Sequence, residues 1–152
     1  MTHEQNTVID FAGFWKRFAA SVIDMFILSI GNFFIGFIFG IPYDVLTGKV
    51  EFASFAKDYI LSFILGLLLV WIYQAVMESS IKQATLGKMA LGIVVTDLSG
   101  KRISFSKASG RFFGNIISAL ILGIGFFMVA FTSKKQGLHD IMSGCMVLNK
   151  TS

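Results

Sequence analysis

The 152-residue chain is strongly apolar, with 55% hydrophobic residues, 17 phenylalanines and only 14% charged residues. A soluble domain normally devotes about a quarter of its residues to charge, so the composition argues against an ordinary soluble domain. The formal net charge of +4 could indicate nucleic-acid binding, but no motif of a nucleic-acid-binding protein accompanies it. The sequence therefore predicts an α-helical integral membrane protein that does not bind nucleic acid.

Three apolar segments approach the roughly 20 residues that a helix needs to cross a bilayer. They cover, in chain order, residues 13–39, 59–77 and 112–131. The residues before the first segment are polar and include Glu4 and Asp10, unlike the basic start of a signal peptide. We therefore expect one membrane domain over residues 1–152, with two transmembrane helices and a third apolar helical segment.

Basic residues concentrate between the second and third apolar segments, in residues 78–111. They are Lys82, Lys88, Lys101, Arg102, Lys107 and Arg111. The connection between the first two segments carries both signs of charge, and Lys16 and Arg17 stand at the start of the first. The positive-inside rule therefore predicts a cytoplasmic N-terminus and a cytoplasmic segment 78–111. We expect these basic residues to meet the anionic headgroups of the lipid bilayer.

The third apolar segment has two possible arrangements. It is long enough for a plain span, but a full crossing would place the lysines of the C-terminal segment 132–152 outside, against the positive-inside rule. A break at Gly123-Ile124-Gly125 would instead give a re-entrant hairpin, which is tolerated where protein buries the non-helical backbone. The charges favour the hairpin.

Short strand-like runs indicate a small cytoplasmic sheet. Residues 92–97 and 102–105 flank a turn that contains Gly100, which is typical of a β-hairpin. Residues 145–148 form a third such run. Because two strands alone are marginally stable, we expect the third run to help the hairpin.

Asp24 is the most informative single residue. It lies about 15 Å along the first span, where a carboxylate costs about 2.5–3.5 kcal/mol and should face protein or a cavity. A desolvated carboxylate can exchange a proton for a cation near neutral pH, whereas the structural interpretation is a paired residue that fixes helix packing. Asn32 and Tyr73 are its candidate neighbours at a proton or ion site.

Several chemistries have no support in the sequence. Two histidines and one cysteine cannot build a zinc or haem site, so we expect no metal and no cofactor. His139 and Asp140 are adjacent, but no nucleophile accompanies them in a recognisable arrangement, and a hydrogen-bonding pair at the membrane interface is the expected role. We therefore expect no enzyme.

The sequence also resembles the RDD family of small prokaryotic membrane proteins. The resemblance rests on residues 12–20 with Asp24, on residues 85–92 with Asp97 after them, on Arg111, and on residues 137–140. It implies that Arg17 and Asp24 are the family's arginine and first aspartate, and that Arg111, His139 and Asp140 belong to the same charged cluster. Asp140 is preferred over Asp97 as the second aspartate, and Arg17 is expected to meet Asp140 or a lipid phosphate.

The resemblance implies a multi-pass protein of a prokaryotic inner membrane, with sodium–proton antiport proposed for some members. Two functions from different classes therefore remain: a small cation/proton exchanger or ion-conducting subunit that uses Asp24, and a non-transporting accessory or scaffold subunit of a membrane complex. Two or three spans are too few to surround a pathway, so the first function predicts a homo-oligomer or a larger complex.

Overall fold

The computed structural model of the chain describes residues 10–39, 48, 52–121 and 124–150. Most of the predicted external connection, residue Gly123 of the predicted break and the two chain ends lie outside these ranges. The elements in chain order are α1 (Phe14–Phe39), α2 (Phe52–Ser79), α3 (Leu86–Ala90), β1 (Ile93–Asp97), α4 (Phe105–Leu120), α5 (Ile124–Phe127), a 3-10 turn (Met128–Ala130), α6 (Leu138–Ser143) and β2 (Cys145–Asn149).

Helices α1 and α2 contain the two stretches, among the described residues, that are long and apolar enough to cross a bilayer: Phe14–Ile38 and Tyr59–Ser79. Only 6% of each apolar window is buried, so these helices are not the core helices of a soluble protein. Side chains such as Met25, Phe26 and Phe33 point outward. Large contiguous apolar surfaces of this kind mark membrane or protein contacts, and they suggest a membrane location.

The two long helices pack antiparallel to each other. Asp24 meets Tyr73 near one end, and Gly31 and Asn32 lie against Leu69 and Gly66 further along. The start of α1 and the end of α2 therefore lie at the same end of the pair. The remaining elements gather at this end.

A two-stranded antiparallel sheet closes that end. β1 pairs with β2 in the register Ile93↔Asn149 to Asp97↔Cys145. The residues before α1 join the same layer, since Ala12 donates its N–H to the Val147 carbonyl at 2.9 Å. The buried apolar core, which includes Ile93, Val95 and Val147, lies under this layer.

The predicted β-hairpin between residues 92–97 and 102–105 is wrong. The turn forms, with Gly100 at a φ of 78°, but the chain after it makes no strand. Gln83 instead occupies the edge of β1 that a hairpin partner would need: it accepts from the Val95 N–H and its side chain donates to the Val95 carbonyl. Ser104 then caps α4 by accepting from the Lys107 N–H, which commits the following residues to a helix.

The strand that β1 does pair with is the predicted third run, over residues 145–149 rather than 145–148. Its first three residues are buried. The pairing joins segments about fifty residues apart and buries apolar side chains that a local hairpin would leave exposed. Burial of these side chains therefore outweighs the short loop of the hairpin.

The third apolar segment is not one continuous helix. α4 begins at Phe105, seven residues before the predicted start, and ends at Leu120. The chain then turns back on α4. The evidence is that Gly125 lies against α4, where a Cβ on it would be 2.6 Å from the Ser118 hydroxyl oxygen. α6 and β2 follow at the same end of the helix pair as Ala12. The third apolar segment therefore reverses direction, as in the re-entrant hairpin, and does not continue as a plain span.

Candidate functional site

The start of α3 is held against α1 by an unusually close backbone approach. A Cβ on Gly87 would lie 2.1 Å from the Ala20 carbonyl oxygen, so glycine alone fits there. Thr85 precedes the helix in an extended conformation and is fully buried. This packing brings the first residues of α3 beside Asp24.

Asp24 is buried, with 6% of its surface exposed, and it accepts three hydrogen bonds from neutral donors. Its Oδ1 accepts from the Tyr73 hydroxyl at 2.8 Å and from the Gly87 N–H at 2.8 Å. Its Oδ2 accepts from the Thr85 hydroxyl at 2.5 Å. In the described part of the chain, Asp24 forms no ion pair. The structure thus brings two of the predicted ion-site residues, Asp24 and Tyr73, into contact.

Asp140 is the centre of a second arrangement. Its Oδ2 lies 2.5 Å from Arg17 Nη1 and its Oδ1 lies 2.8 Å from Arg111 Nε. It also accepts from the Gly137 N–H at 3.1 Å at the start of α6. The sequence left two partners open for Arg17, Asp140 and a lipid phosphate, and in the structure Arg17 pairs with Asp140. Burial alone would raise the pKa of Asp140, but Arg111, His139 and Arg17 together hold it well below the usual range.

Arg111 links Asp140 to a further carboxylate. Its Nη1 lies 2.6 Å from Glu78 Oε1, and the Lys88 ammonium donates to the same oxygen. Burial would lower the pKa of Arg111, yet Glu78 and Asp140 raise it, so the guanidinium stays charged. Burial lowers the pKa of Lys88, with Glu78 opposing the shift.

These five residues form one buried charge network that joins five elements. The order of contacts is Arg17, Asp140, Arg111, Glu78 and Lys88, on α1, α6, α4, α2 and α3. Breaking a buried ion pair by removing one partner strongly destabilises a protein, because the other charge stays behind without compensation. The charge network therefore fixes how α1, α2 and the later elements meet.

His139 lies beside the charge network but carries no charge at neutral pH. Burial lowers its pKa to about 4, and Asp140 only partly opposes this shift, so the imidazole is neutral. Its Nε2 lies 3.3 Å from Asp140 Oδ1. Its buried Nδ1 has no hydrogen-bond partner within the described ranges.

A cavity of about 820 Å³ opens between α1, α2, α4 and α5 beside both arrangements. Asp24 is the one carboxylate among its described lining residues, and Arg17, Lys88, Arg111 and His139 also line it. The predicted neighbour Asn32 lines the cavity too, but about 12 Å along α1 from Asp24. There it lies against Gly66, so the structure does not bring it to the carboxylate.

Four further residues of the site were not predicted from the sequence: the donors Thr85 and Gly87 and the network members Glu78 and Lys88. Thr85, Gly87 and Lys88 belong to the 85–92 motif that carries the family resemblance, so the motif itself was the available signal. Glu78 had a weaker signal, because it stands at the boundary of an otherwise uncharged span. The described residues contain no cluster of three metal-ligating side chains.

Comparisons with known proteins show the family of the chain. The family model described as "RDD family" matches residues 11–144. "Uncharacterized protein YxaI" of Bacillus subtilis (strain 168) is 37% identical over 150 residues, which cover 91% of this chain and 97% of the relative. "Uncharacterized membrane protein YteJ" of the same organism is 26% identical over 148 residues, covering 92% of this chain and 82% of the relative. No solved structure matches. The chain belongs to the RDD family.

Proposed function

We propose that this RDD-family protein exchanges a monovalent cation, Na⁺, for a proton across the membrane, with Asp24 as the exchanging carboxylate. The observation that carries the proposal is that Asp24, alone among the described buried carboxylates, lines the cavity and is held by neutral donors. Glu78 and Asp140 are also buried, but arginine or lysine partners neutralise both. A carboxylate with permanent cationic partners has no charge left for a mobile cation.

The partners of Asp24 suit alternate occupancy. A hydroxyl has one donor and two acceptor sites, so Tyr73 and Thr85 can donate to an empty carboxylate or turn their oxygens toward a bound cation. Three protein oxygens then surround the cation, and hard monovalent cations prefer oxygen ligands. When a proton replaces the cation, the protonated carboxyl can donate to one of the same oxygens. One cation therefore exchanges for one proton.

The membrane arrangement follows from the charges at one end of the helix pair. Exposed Lys16, Lys82 and Lys107 lie at the end where α1 starts and α2 finishes. By the positive-inside rule this end is cytoplasmic, in a prokaryotic inner membrane, where the lysines meet anionic headgroups. Two spans and a reversed third segment cannot enclose a pathway alone. The exchanger is therefore a homo-oligomer or part of a larger membrane complex.

The test is exchange in proteoliposomes. Vesicles with an acidic interior and a pH-sensitive dye receive Na⁺, Li⁺ or K⁺ outside. Wild-type protein should collapse the pH gradient on addition of Na⁺, and Asp24→Asn should not. The variant keeps the shape of the side chain, and its amide oxygen still accepts from the Gly87 N–H. Asp97→Asn is the matched control, because Asp97 does not line the cavity and its carboxylate accepts from the N–H groups of Ser99 and Lys101 in the turn after β1.

A second function is favoured by one observation: the hydrogen bonds of Asp24 also fasten α3 to α1. In a non-transporting accessory or scaffold subunit, that fastening would be the whole role of the residue. The accessory function predicts no collapse of the gradient with correctly inserted wild-type protein. It also predicts that Asp24→Asn lowers the melting temperature by more than Asp97→Asn does.

A further inference from the structure

The cavity is larger and more apolar than a monovalent cation requires. Its volume of about 820 Å³ falls in the range of sites for small organic ligands, about 300–1,000 Å³. Much of its wall is aromatic or aliphatic, from Phe14, Phe18, Met25, Leu28 and Phe127. Phe18 and Phe127 are 54% and 57% exposed, so the apolar part of the wall continues to the outer surface of the helices. A bilayer around α1 would therefore meet this opening.

The charged part of the wall has a positive excess. Arg17, Lys88 and Arg111 line the cavity, whereas their partners Glu78 and Asp140 lie behind them and do not. The single lining carboxylate, Asp24, is covered by three donors. The three cations share two carboxylate partners, so the charge network keeps one surplus positive charge beside the space.

Two of these cations have donors to spare. Each of the three side-chain nitrogens of Arg17 already donates a hydrogen bond, to Asp140 or to the carbonyls of Ala12 and Lys135. Among the described residues, Lys88 donates through one of its three N–H groups, and Arg111 donates through Nε and Nη1. Arg111 Nη2 and the Lys88 ammonium can therefore donate to a ligand, and charge-assisted bonds of this kind favour an anionic oxygen.

We propose that the cavity binds an anionic amphiphile. Its phosphate or carboxylate lies against Lys88 and Arg111, and its chain passes between Phe18 and Phe127 into the bilayer. The combination of a cationic inner wall with an apolar, outward-opening rim fits one molecule with a charged head and an apolar tail. The proposal does not depend on cation exchange, because it uses the cationic wall rather than Asp24.

Lipid retention by the purified full-length protein tests the proposal. The protein is exchanged into a neutral detergent and incubated with dioleoyl phosphatidylglycerol, dioleoyl phosphatidylcholine or oleate. Native mass spectrometry then counts the molecules that remain bound. The surplus positive charge predicts a preference of about tenfold for phosphatidylglycerol over the zwitterionic phosphatidylcholine.

Two pairs of variants locate the site. Ser21→Trp places a large side chain in the cavity wall, whereas Val22→Trp, its neighbour on α1, does not face the cavity. Lys88→Gln removes a cationic donor, and Lys82→Gln removes an exposed lysine as the control. We expect Ser21→Trp to abolish and Lys88→Gln to reduce retention of phosphatidylglycerol, with both controls like the wild type.

The competing ligands identify the source of the anion. If oleate displaces phosphatidylglycerol, the site accepts a carboxylate as well as a phosphate headgroup. If oleate fails to displace it, the site requires a phosphate-bearing lipid. Both results support an anionic amphiphile. Equal retention of phosphatidylglycerol and phosphatidylcholine would overturn the proposal. So would equal retention by Ser21→Trp and Val22→Trp, a comparison that remains valid if Lys88→Gln does not fold.

Discussion

The substitution Asp140→Asn tests whether the charge network holds the elements together. Asp140 is fully buried and pairs with both Arg17 and Arg111, at 2.5 Å and 2.8 Å. Asparagine has nearly the same shape, but it removes the charge that both guanidiniums share. Arg111 keeps Glu78 as a charged partner, whereas the partners that Arg17 keeps among the described residues are two neutral carbonyl oxygens. The variant therefore leaves one buried cation without a counter-charge.

Removal of one partner from a buried ion pair costs about 3–5 kcal/mol. For a chain of this length, each kcal/mol lowers the melting temperature by about 2–4 °C, so we expect a decrease of roughly 6–20 °C. The low pKa of Asp140 means that the carboxylate stabilises the fold at every pH above about 4 and stops doing so as the pH falls further. Melting of the detergent-solubilised protein at pH 7, followed by size-exclusion chromatography, measures the full effect.

Asp97→Asn is the control for this experiment. Asp97 is the other aspartate that the sequence offered as the second family aspartate, and it serves an exposed turn through the N–H groups of Ser99 and Lys101. An asparagine oxygen can accept the same two bonds, so the melting temperature should hardly change. If Asp140→Asn lowered it no more than Asp97→Asn, the charge network would not be a determinant of stability.

Two further substitutions test the packing and the titration of the site. Gly87→Ala would place a methyl group 2.1 Å from a backbone carbonyl oxygen of α1, so it should destabilise the protein by more than about 2 kcal/mol. Gly110→Ala is the control, because no neighbouring atom lies within 4 Å of the new Cβ. It should stabilise α4 by about 0.5–1 kcal/mol. Similar melting temperatures for the two variants would contradict the close approach of α3 to α1. The pKa of His139, lowered to about 4 in the folded chain, means that the unfolded chain binds the proton first as the pH falls. Wild type should therefore lose about 3 kcal/mol between pH 6.5 and 4 that His139→Gln does not lose, and parallel pH profiles would refute a buried neutral imidazole.

The sequence predicted those parts of the fold that depend on local composition. Apolar runs located both long helices, although α2 begins at Phe52 rather than at Tyr59. The glycines near residue 123 indicated where the third helix stops, and the apolar run at Cys145 indicated a strand. Each of these features follows from the preferences of neighbouring residues and the length of an apolar run.

The strand pairing could not be obtained in the same way. A turn at Gly100 between two strand-like runs is a sound local signal for a hairpin. The competing partner, β2, lies about fifty residues further along, and Gln83 reaches β1 through a loop in which its own φ is +52°. Neither contact leaves a periodic pattern in the sequence, so the local signal favoured the wrong partner.

In the site, too, local sequence features were predictable and contacts between distant elements were not. The depth of Asp24 in an apolar helix and the position of Tyr73 in the next span were enough to place them near each other. Asn32 was expected there as well, because it lies next to the same helix face, but eight residues of helix separate it from Asp24. The roles of Glu78 and Lys88 depend on contacts among three different helices, α2, α3 and α4, which a pattern within one element does not encode.

Proton release on cation binding tests the proposed exchange most directly. Na⁺ is added to purified protein in a weakly buffered detergent solution, and a pH indicator reports the protons released, with choline chloride as the ionic-strength control. We expect saturable release by wild type and by Asp97→Asn, and none by a folded Asp24→Asn variant. Equal release by Asp24→Asn, or no difference between Na⁺ and choline for wild type, would contradict exchange at Asp24.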